Sequence, residues 1–152
     1  HIDTAAAYYN EKEVGDALKA TGMAGKVWVT TKLRNCDQGY DSTMVAFDRS
    51  RSNLGVDVVD MYLIHWPFAA AGFFKETWRA LLKLRDEGAV RVPGVSNFLP
   101  QHLREFAGLT KSVTVVGSNN HAEFWDSARW DEICPLEALP ENIAAVMEEL
   151  DF

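Results

Sequence analysis

Hydrophobic and polar positions divide this chain into two kinds of run. Short, nearly continuous apolar stretches such as VWVTTKL and VVDMYLIH alternate with longer ones in which apolar residues recur about every three to four positions. The first pattern is that of a strand covered on both faces, the second that of an amphipathic helix. HIDTA reads as a strand. Asn10, with Glu13 three residues later, makes a capping-box start for a helix that sets Val14, Ala17, Leu18 and Thr21 on one face and stops at Gly22. VWVTTKL is the second strand, and a helix from about Asp41 to Leu54 turns Met44, Phe47 and Leu54 inward before Gly55. VVDMYLIH is the third strand, ended by Pro67, after which Phe74, Thr77, Trp78, Leu81, Leu82 and Arg85 fall at helical intervals up to Gly88. VRVPGVSNF reads as a fourth strand carrying Pro93, PQHLREFAG as a short helix entered through Pro100, and SVTVVGSN as a fifth strand. Beyond it the period fades until a final amphipathic segment, PENIAAVMEEL.

Strand onsets near residues 1, 27, 58, 90 and 112 give a repeat of roughly 25 to 30 residues, the size of the strand-helix unit of a parallel sheet. Such units build either a doubly wound open sheet or a (β/α)8 barrel, and a full barrel needs about 250 residues. No glycine-rich dinucleotide fingerprint follows any strand. The expectation is therefore an α/β fold, an incomplete (β/α)8 TIM barrel of about five parallel strand-helix units, forming a single partial domain over residues 1–152. Its two unpaired sheet edges predict self-association.

Composition narrows the classes of partner. The chain is 47% hydrophobic with five Trp and eight Phe, too apolar for a disordered polypeptide, and no run reaches the length of a membrane span. Fifteen basic against twenty-two acidic residues give a formal charge of −7 with no basic stripe, which argues against nucleic acid or an anionic membrane as partner. Cys36 and Cys134 show neither metal-ligand spacing nor a disulfide framework, so inert thiols and a cytoplasmic setting are expected. His121 with Glu123 reads as a surface pair, and no metal site is expected. The chain opens on His1 inside an apparent strand, as a piece of something longer would.

Four residues capable of one proton-and-hydride reaction fall at or just past predicted strand ends: Asp3, Tyr8, Lys32 and His65. Active sites of parallel α/β folds are built there. A hydride arriving at a carbonyl carbon leaves an alkoxide, which needs a proton donor and nearby positive charge. Tyr8 suits the donor role once an adjacent ammonium favours its phenolate, Lys32 supplies that charge, Asp3 keeps Lys32 ionised, and His65 orients the carbonyl oxygen. Taken singly, each has a plainer reading: a structural histidine, an interstrand ion pair, a rim tyrosine.

HIDTAAAYYNEKEVGDAL, VTTKL, YDSTMVAFDRSRSNLGVDVVDMYLIHWP and VPGVSNFLPQHL, in this order and spacing, resemble the consecutive signature blocks of the aldo-keto reductases. The resemblance covers roughly residues 1–110, leaves 111–152 as a divergent tail, and corresponds to the family's second to fifth barrel strands. It implies an NAD(P)H-dependent oxidoreductase that reduces aldehyde or ketone carbonyls to alcohols, with NADPH preferred over NADH and a small-molecule carbonyl substrate. It also implies that Asp3, Tyr8, Lys32 and His65 are catalytic, that Asp3, Ser96 and Asn97 bind the cofactor, and that Trp66 lines the substrate pocket. Read without the family, Ser96 and Asn97 equally suit the cap of the following helix, and Trp66 suits rim packing. Arg34 stands where many members carry a pocket tryptophan, which predicts a more polar pocket attractive to acidic substrates. Tyr9 replaces a frequent glycine. Asn119 or Asn120 only loosely occupies the place of a glutamine that holds the nicotinamide. The family's first, seventh and eighth strands, with the usual phosphate anchors, have no counterpart in the chain. The alternative class is therefore a truncated, non-catalytic barrel fragment or interaction module with an inherited but unused site.

Overall fold

A computed structural model describes residues 1–99 and 101–103, and the backbone of 113–118 and 121–126. Four strands, β1 (Ile2–Asp3), β2 (Val29–Leu33), β3 (Val59–Ile64) and β4 (Val90–Val95), form one parallel sheet in the order β1-β2-β3-β4. Between them run α1 (Glu11–Ala20), α2 (Tyr40–Leu54) and α3 (Phe74–Asp86). Neighbours in sequence are neighbours in the sheet, and α1 packs on α2 and α2 on α3, so the helices share one layer. That is the winding of a barrel wall, since a doubly wound sheet reverses its strand order and puts helices on both faces.

The core between sheet and helices follows the two periodicities. Phe47 of α2 meets Tyr62 of β3 edge-on at 5.2 Å, and Leu18, Val29 and Leu54 form a buried cluster flanked by Ile2, Val14, Val27 and Val56. In α2 the buried positions are Thr43, Ala46, Phe47, Ser50 and Leu54, a helical stripe. The helix ends on Gly55 in the left-handed region, where Val56 N–H donates to Arg51 O and Gly55 N–H to Ser52 O, the Schellman pattern.

Three details depart from the sequence pattern. In α1, Ala17 and Thr21 are exposed, while Glu11 and Gly15 join Leu18 on the buried side. Gly15 is buried because α2 lies against it: a Cβ there would stand 2.3 Å from Asn53 O. Asn10 does not cap α1 with its side chain; its Oδ1 accepts from the Thr4 hydroxyl at 2.7 Å, tying the helix entry to β1 instead. In α3, Arg85 is exposed and Ala80 and Leu84 complete the buried face.

The chain divides into two compact units, His1–His102 and Leu103–Phe152. In the second, β5 (Val113–Ser118) is the expected fifth strand, but it pairs antiparallel with β6 (His121–Asp126) rather than joining the parallel sheet. Only two residues separate them, which suits a hairpin, whereas a parallel partner requires a crossover of a dozen or more. Pro100, Asn119, Asn120, Cys134 and the final amphipathic segment lie outside the described residues, as do the side chains of His121 and Glu123. Among the described residues no helix is long and apolar enough to cross a membrane.

Candidate active site

The carboxyl ends of β1, β2 and β3 bring Asp3, Lys32 and His65 to one end of the sheet, with Tyr8 on the 3-10 turn Ala6–Tyr8 that follows β1. Parallel pairing sets this alignment, with Asp3 beside Thr30, Lys32 beside Leu63 and Leu33 beside Ile64. Lys32 is only 7% exposed. Its ammonium is matched by an ion pair with the Asp3 carboxylate and by a hydrogen bond donated to Thr4 O at 3.0 Å. A buried lysine keeps its charge when it is compensated in this way.

Lys32 Nζ lies 5.5 Å from the centre of the Tyr8 ring, and His65 meets the same ring edge-on at 5.6 Å. The Tyr8 side is open, at 52% exposure, and among the described residues its hydroxyl has no hydrogen-bond partner. The four residues predicted to act together thus form one continuous chain of contacts. Burial, aided by the Lys32 charge and opposed by Asp3, holds the His65 imidazole below its ordinary pKa and so favours the neutral ring.

Ser96 and Asn97 follow β4 beside this group. Asn97 sits at φ +61, and its Nδ2 donates to His65 O at 2.8 Å and to Ser96 Oγ at 3.1 Å. The Asn97 amide nitrogen thus ties the end of β4 to the residue that follows β3. Asn97 Oδ1 and the Ser96 hydroxyl proton have no partner among the described residues, leaving one acceptor and one donor. A primary carboxamide offers the complementary pair, so these residues fit the nicotinamide amide.

Trp66 is half exposed, 6.5 Å ring to ring from His65, and its carbonyl accepts from the buried Gln38 at 2.8 Å. Phe68 and Phe73 add exposed aromatic surface in the loop after Trp66. Gln38 escaped the sequence reading because its role is a single contact to a backbone 28 residues away, which leaves no periodic trace.

Arg34 directly follows the last residue of β2, Leu33. It turns to Asp37 and Tyr9 and, with Ala6, Glu11, Lys12, Arg49 and Asn53, lines a separate cavity of about 250 Å³ that no member of the Asp3, Tyr8, Lys32 and His65 group borders. Asp37, three residues on, supplies an ion-pair partner within local reach, so the guanidinium satisfies itself there. Cys36 is a free, exposed thiol, and among the described residues no cluster of His, Cys, Asp and Glu could hold a metal ion.

Comparison with known proteins converges on one family. A profile of the aldo/keto reductase family matches residues 1–147. An aldo-keto reductase of Mycobacterium sp. strain JLS is 48% identical over 117 residues, 76% of this chain and 42% of that protein. Glyoxal reductase of Bacillus subtilis is 45% identical over 124 residues, 81% of this chain and 43% of that protein. Among solved structures, an aldo/keto reductase from Brucella melitensis superimposes with a TM-score of 0.68 at 51% identity, covering 71% of this chain and 42% of that one. A variant of Gox0644 in complex with NADPH gives 0.65 at 44% identity, covering 70% and 38%. The chain thus spans about two-fifths of the length of these relatives. With four parallel strands wound as a partial barrel wall and a profile match over nearly its whole length, the chain belongs to the aldo/keto reductase family.

Proposed function

We propose that this chain carries the reaction centre of an NAD(P)H-dependent reductase that converts aldehydes or ketones to alcohols. The convergence of Asp3, Lys32, Tyr8 and His65 at one sheet end carries the reading. Tyr8 is the proton donor, its open hydroxyl free to meet a carbonyl oxygen from outside. Lys32 lays positive charge under the Tyr8 ring, where it stabilises negative charge developing on the phenol and on the substrate oxygen alike. Asp3 holds that ammonium in place. His65, kept neutral by burial, donates a ring N–H to the same substrate oxygen and fixes its direction.

Ser96 and Asn97 would hold the carboxamide of a nicotinamide, and Asp3 would be a further residue of the cofactor site; bound there, the cofactor would supply hydride to the carbonyl carbon. NADPH is the favoured cofactor, with NADH second, as supported by the NADPH complex of the Gox0644 variant. Trp66 gives the pocket an aromatic wall suited to apolar carbonyl compounds. The substrate class is a small carbonyl compound, of which glyoxal reductase names one example.

Fluorescence titration of the chain with NADPH, beside Tyr8→Phe and Ser96→Ala/Asn97→Ala, tests the reading. Saturable binding weakened by the Ser96/Asn97 change, and turnover of a generic aldehyde lost in Tyr8→Phe, are expected of a working centre. No binding at millimolar NADPH would favour the other reading, an inherited site that the 152 residues alone do not use. The four-stranded described sheet, with each outer strand paired on one side only, is the observation behind that second reading.

A further inference from the structure

Tyr8 is held loosely by its own contacts. Its ring is half exposed, with the Lys32 ammonium 5.5 Å from its centre and His65 edge-on to it at 5.6 Å. The direction of its hydroxyl must therefore come from the backbone turn that carries it. That turn ends at Tyr9, with φ 56 and ψ 26, a left-handed conformation that a residue with a bulky side chain keeps only where its surroundings impose it. The turn carries two backbone hydrogen bonds, Tyr8 N–H to Ala5 O at 2.9 Å and Tyr9 N–H to Ala6 O at 3.3 Å, the second of them long.

Arg34 lies against the Tyr9 ring, which is otherwise open to solvent at 80% exposure. The guanidinium carbon lies 5.9 Å from the Tyr9 ring centre, while Nε of the same group donates to Asp37 Oδ2 at 2.8 Å. That carboxylate oxygen also accepts from Arg49 Nη2 of α2 at 2.9 Å. A planar guanidinium can present its edge to a carboxylate and its face to a ring at once; an ammonium cannot. The linkage runs from α2 through Asp37 and Arg34 to Tyr9 and the peptide that carries Tyr8. Arg34 stands two residues after Lys32, so a single strand end sets both the charge under Tyr8 and the contact with its neighbour.

We propose that Arg34, anchored on Asp37, is a positioning residue that fixes the Tyr8–Tyr9 turn and so aims the Tyr8 hydroxyl at the substrate oxygen. The inference rests on the reductase reading above and concerns how the proton donor is aimed. Arg34 contacts neither substrate nor cofactor in this role, which separates it from a pocket residue that would attract an acidic substrate.

Nuclear magnetic resonance of the chain with labelled aromatic and histidine rings tests the proposal without requiring turnover. Cross-relaxation between the Tyr8 and His65 rings is the readout, assigned with Tyr8→Phe, and the Phe47–Tyr62 ring pair is the control for an intact core. Arg34→Leu is expected to lose the Tyr8–His65 signal and keep the Phe47–Tyr62 signal. Arg34→Lys is expected not to restore it. Tyr9→Leu, which leaves Arg34, Asp37 and Arg49 in place, is expected to give the same loss and serves if Arg34→Leu fails to fold. A Tyr8–His65 signal of wild-type strength in either folded variant overturns the proposal. So does loss of both signals in both variants, which would make Arg34 a support of the core. Where benzaldehyde is turned over with NADPH, Arg34→Leu lowers kcat about tenfold or more at unchanged KM, the cost of a misaimed donor. If Tyr8→Phe leaves that turnover unchanged, the reductase reading fails, while the ring signals still decide whether Arg34 sets the turn.

Discussion

His65 reports the electrostatics of the site at the scale of one residue. Burial is the main reason its imidazole resists protonation, Lys32 adds to it, and Asp3 works in the opposite direction. Its midpoint in a ring titration followed by nuclear magnetic resonance should lie below the ordinary 6.5, with the resonance identified by His65→Gln. Lys32→Met should move it up and Asp3→Asn further down; an unchanged midpoint in Lys32→Met would show that the Lys32 charge adds nothing to burial. The sign for stability follows from the direction. Because the folded ring binds a proton less readily than the unfolded one, the His65 contribution is complete above 6.5 and is lost as pH falls from there through the folded midpoint. The individual residues of this site were legible because each is of a chemically telling type at a strand end. Arg34 was not, since the sequence gives its charge and position but not that Asp37, three residues on, and the Tyr9 ring would be its partners.

Between elements, two glycines mark where backbones approach. A methyl group on Gly15 would sit 2.3 Å from Asn53 O and 2.8 Å from Leu54 C and O, all backbone atoms of α2 that cannot step aside. Gly15→Ala should therefore destabilise by about 1–3 kcal/mol, outweighing the helix preference of alanine. On β4, a Cβ at Gly94 would meet Leu63 Cδ2 at 2.6 Å, the free end of a side chain. Gly94→Ala should cost less, under about 1.5 kcal/mol, because Leu63 can change rotamer. Urea unfolding midpoints of the two variants check the order, and a Gly15→Ala midpoint at or above that of Gly94→Ala would refute the close packing of α1 on α2. The α1 pattern itself was only half legible. Ala17 and Thr21 fit the apolar stripe by spacing, yet the face that packs is the one with the smallest side chain, Gly15, where a neighbouring helix can come nearest.

For the whole molecule, the described parallel sheet leaves β1 paired only with β2 and β4 only with β3, and Val92, Trp66, Phe68 and Phe73 are exposed around it. Unpaired strand edges beside exposed apolar surface favour association between chains. Sedimentation of the 152-residue chain at rising concentration should show species above the monomer mass; a single monomeric boundary with cooperative unfolding would contradict this. In a barrel, the strands that flank such a wall close it, and the relatives are more than twice as long as the segment shared with this chain.

By itself, the sequence determined the strand-helix alternation, the parallel direction of β1 to β4 and the end of the sheet at which Asp3, Tyr8, Lys32 and His65 stand. Each of these follows from local periodicity and from the helical crossovers that make successive strands parallel; that the order runs one way, as in a barrel wall, is seen in the packed sheet. Tertiary structure alone decided which polar side chains met. Asn10 bonds Thr4 in place of its own helix, Asn97 holds His65 O from 32 residues away, and β5 found β6 rather than the sheet. The physical reason is common to all three. Periodicity records which face of an element is buried, but a hydrogen bond or a strand pairing is chosen by whichever partner the completed packing brings within reach, and that choice depends on residues far away in the chain.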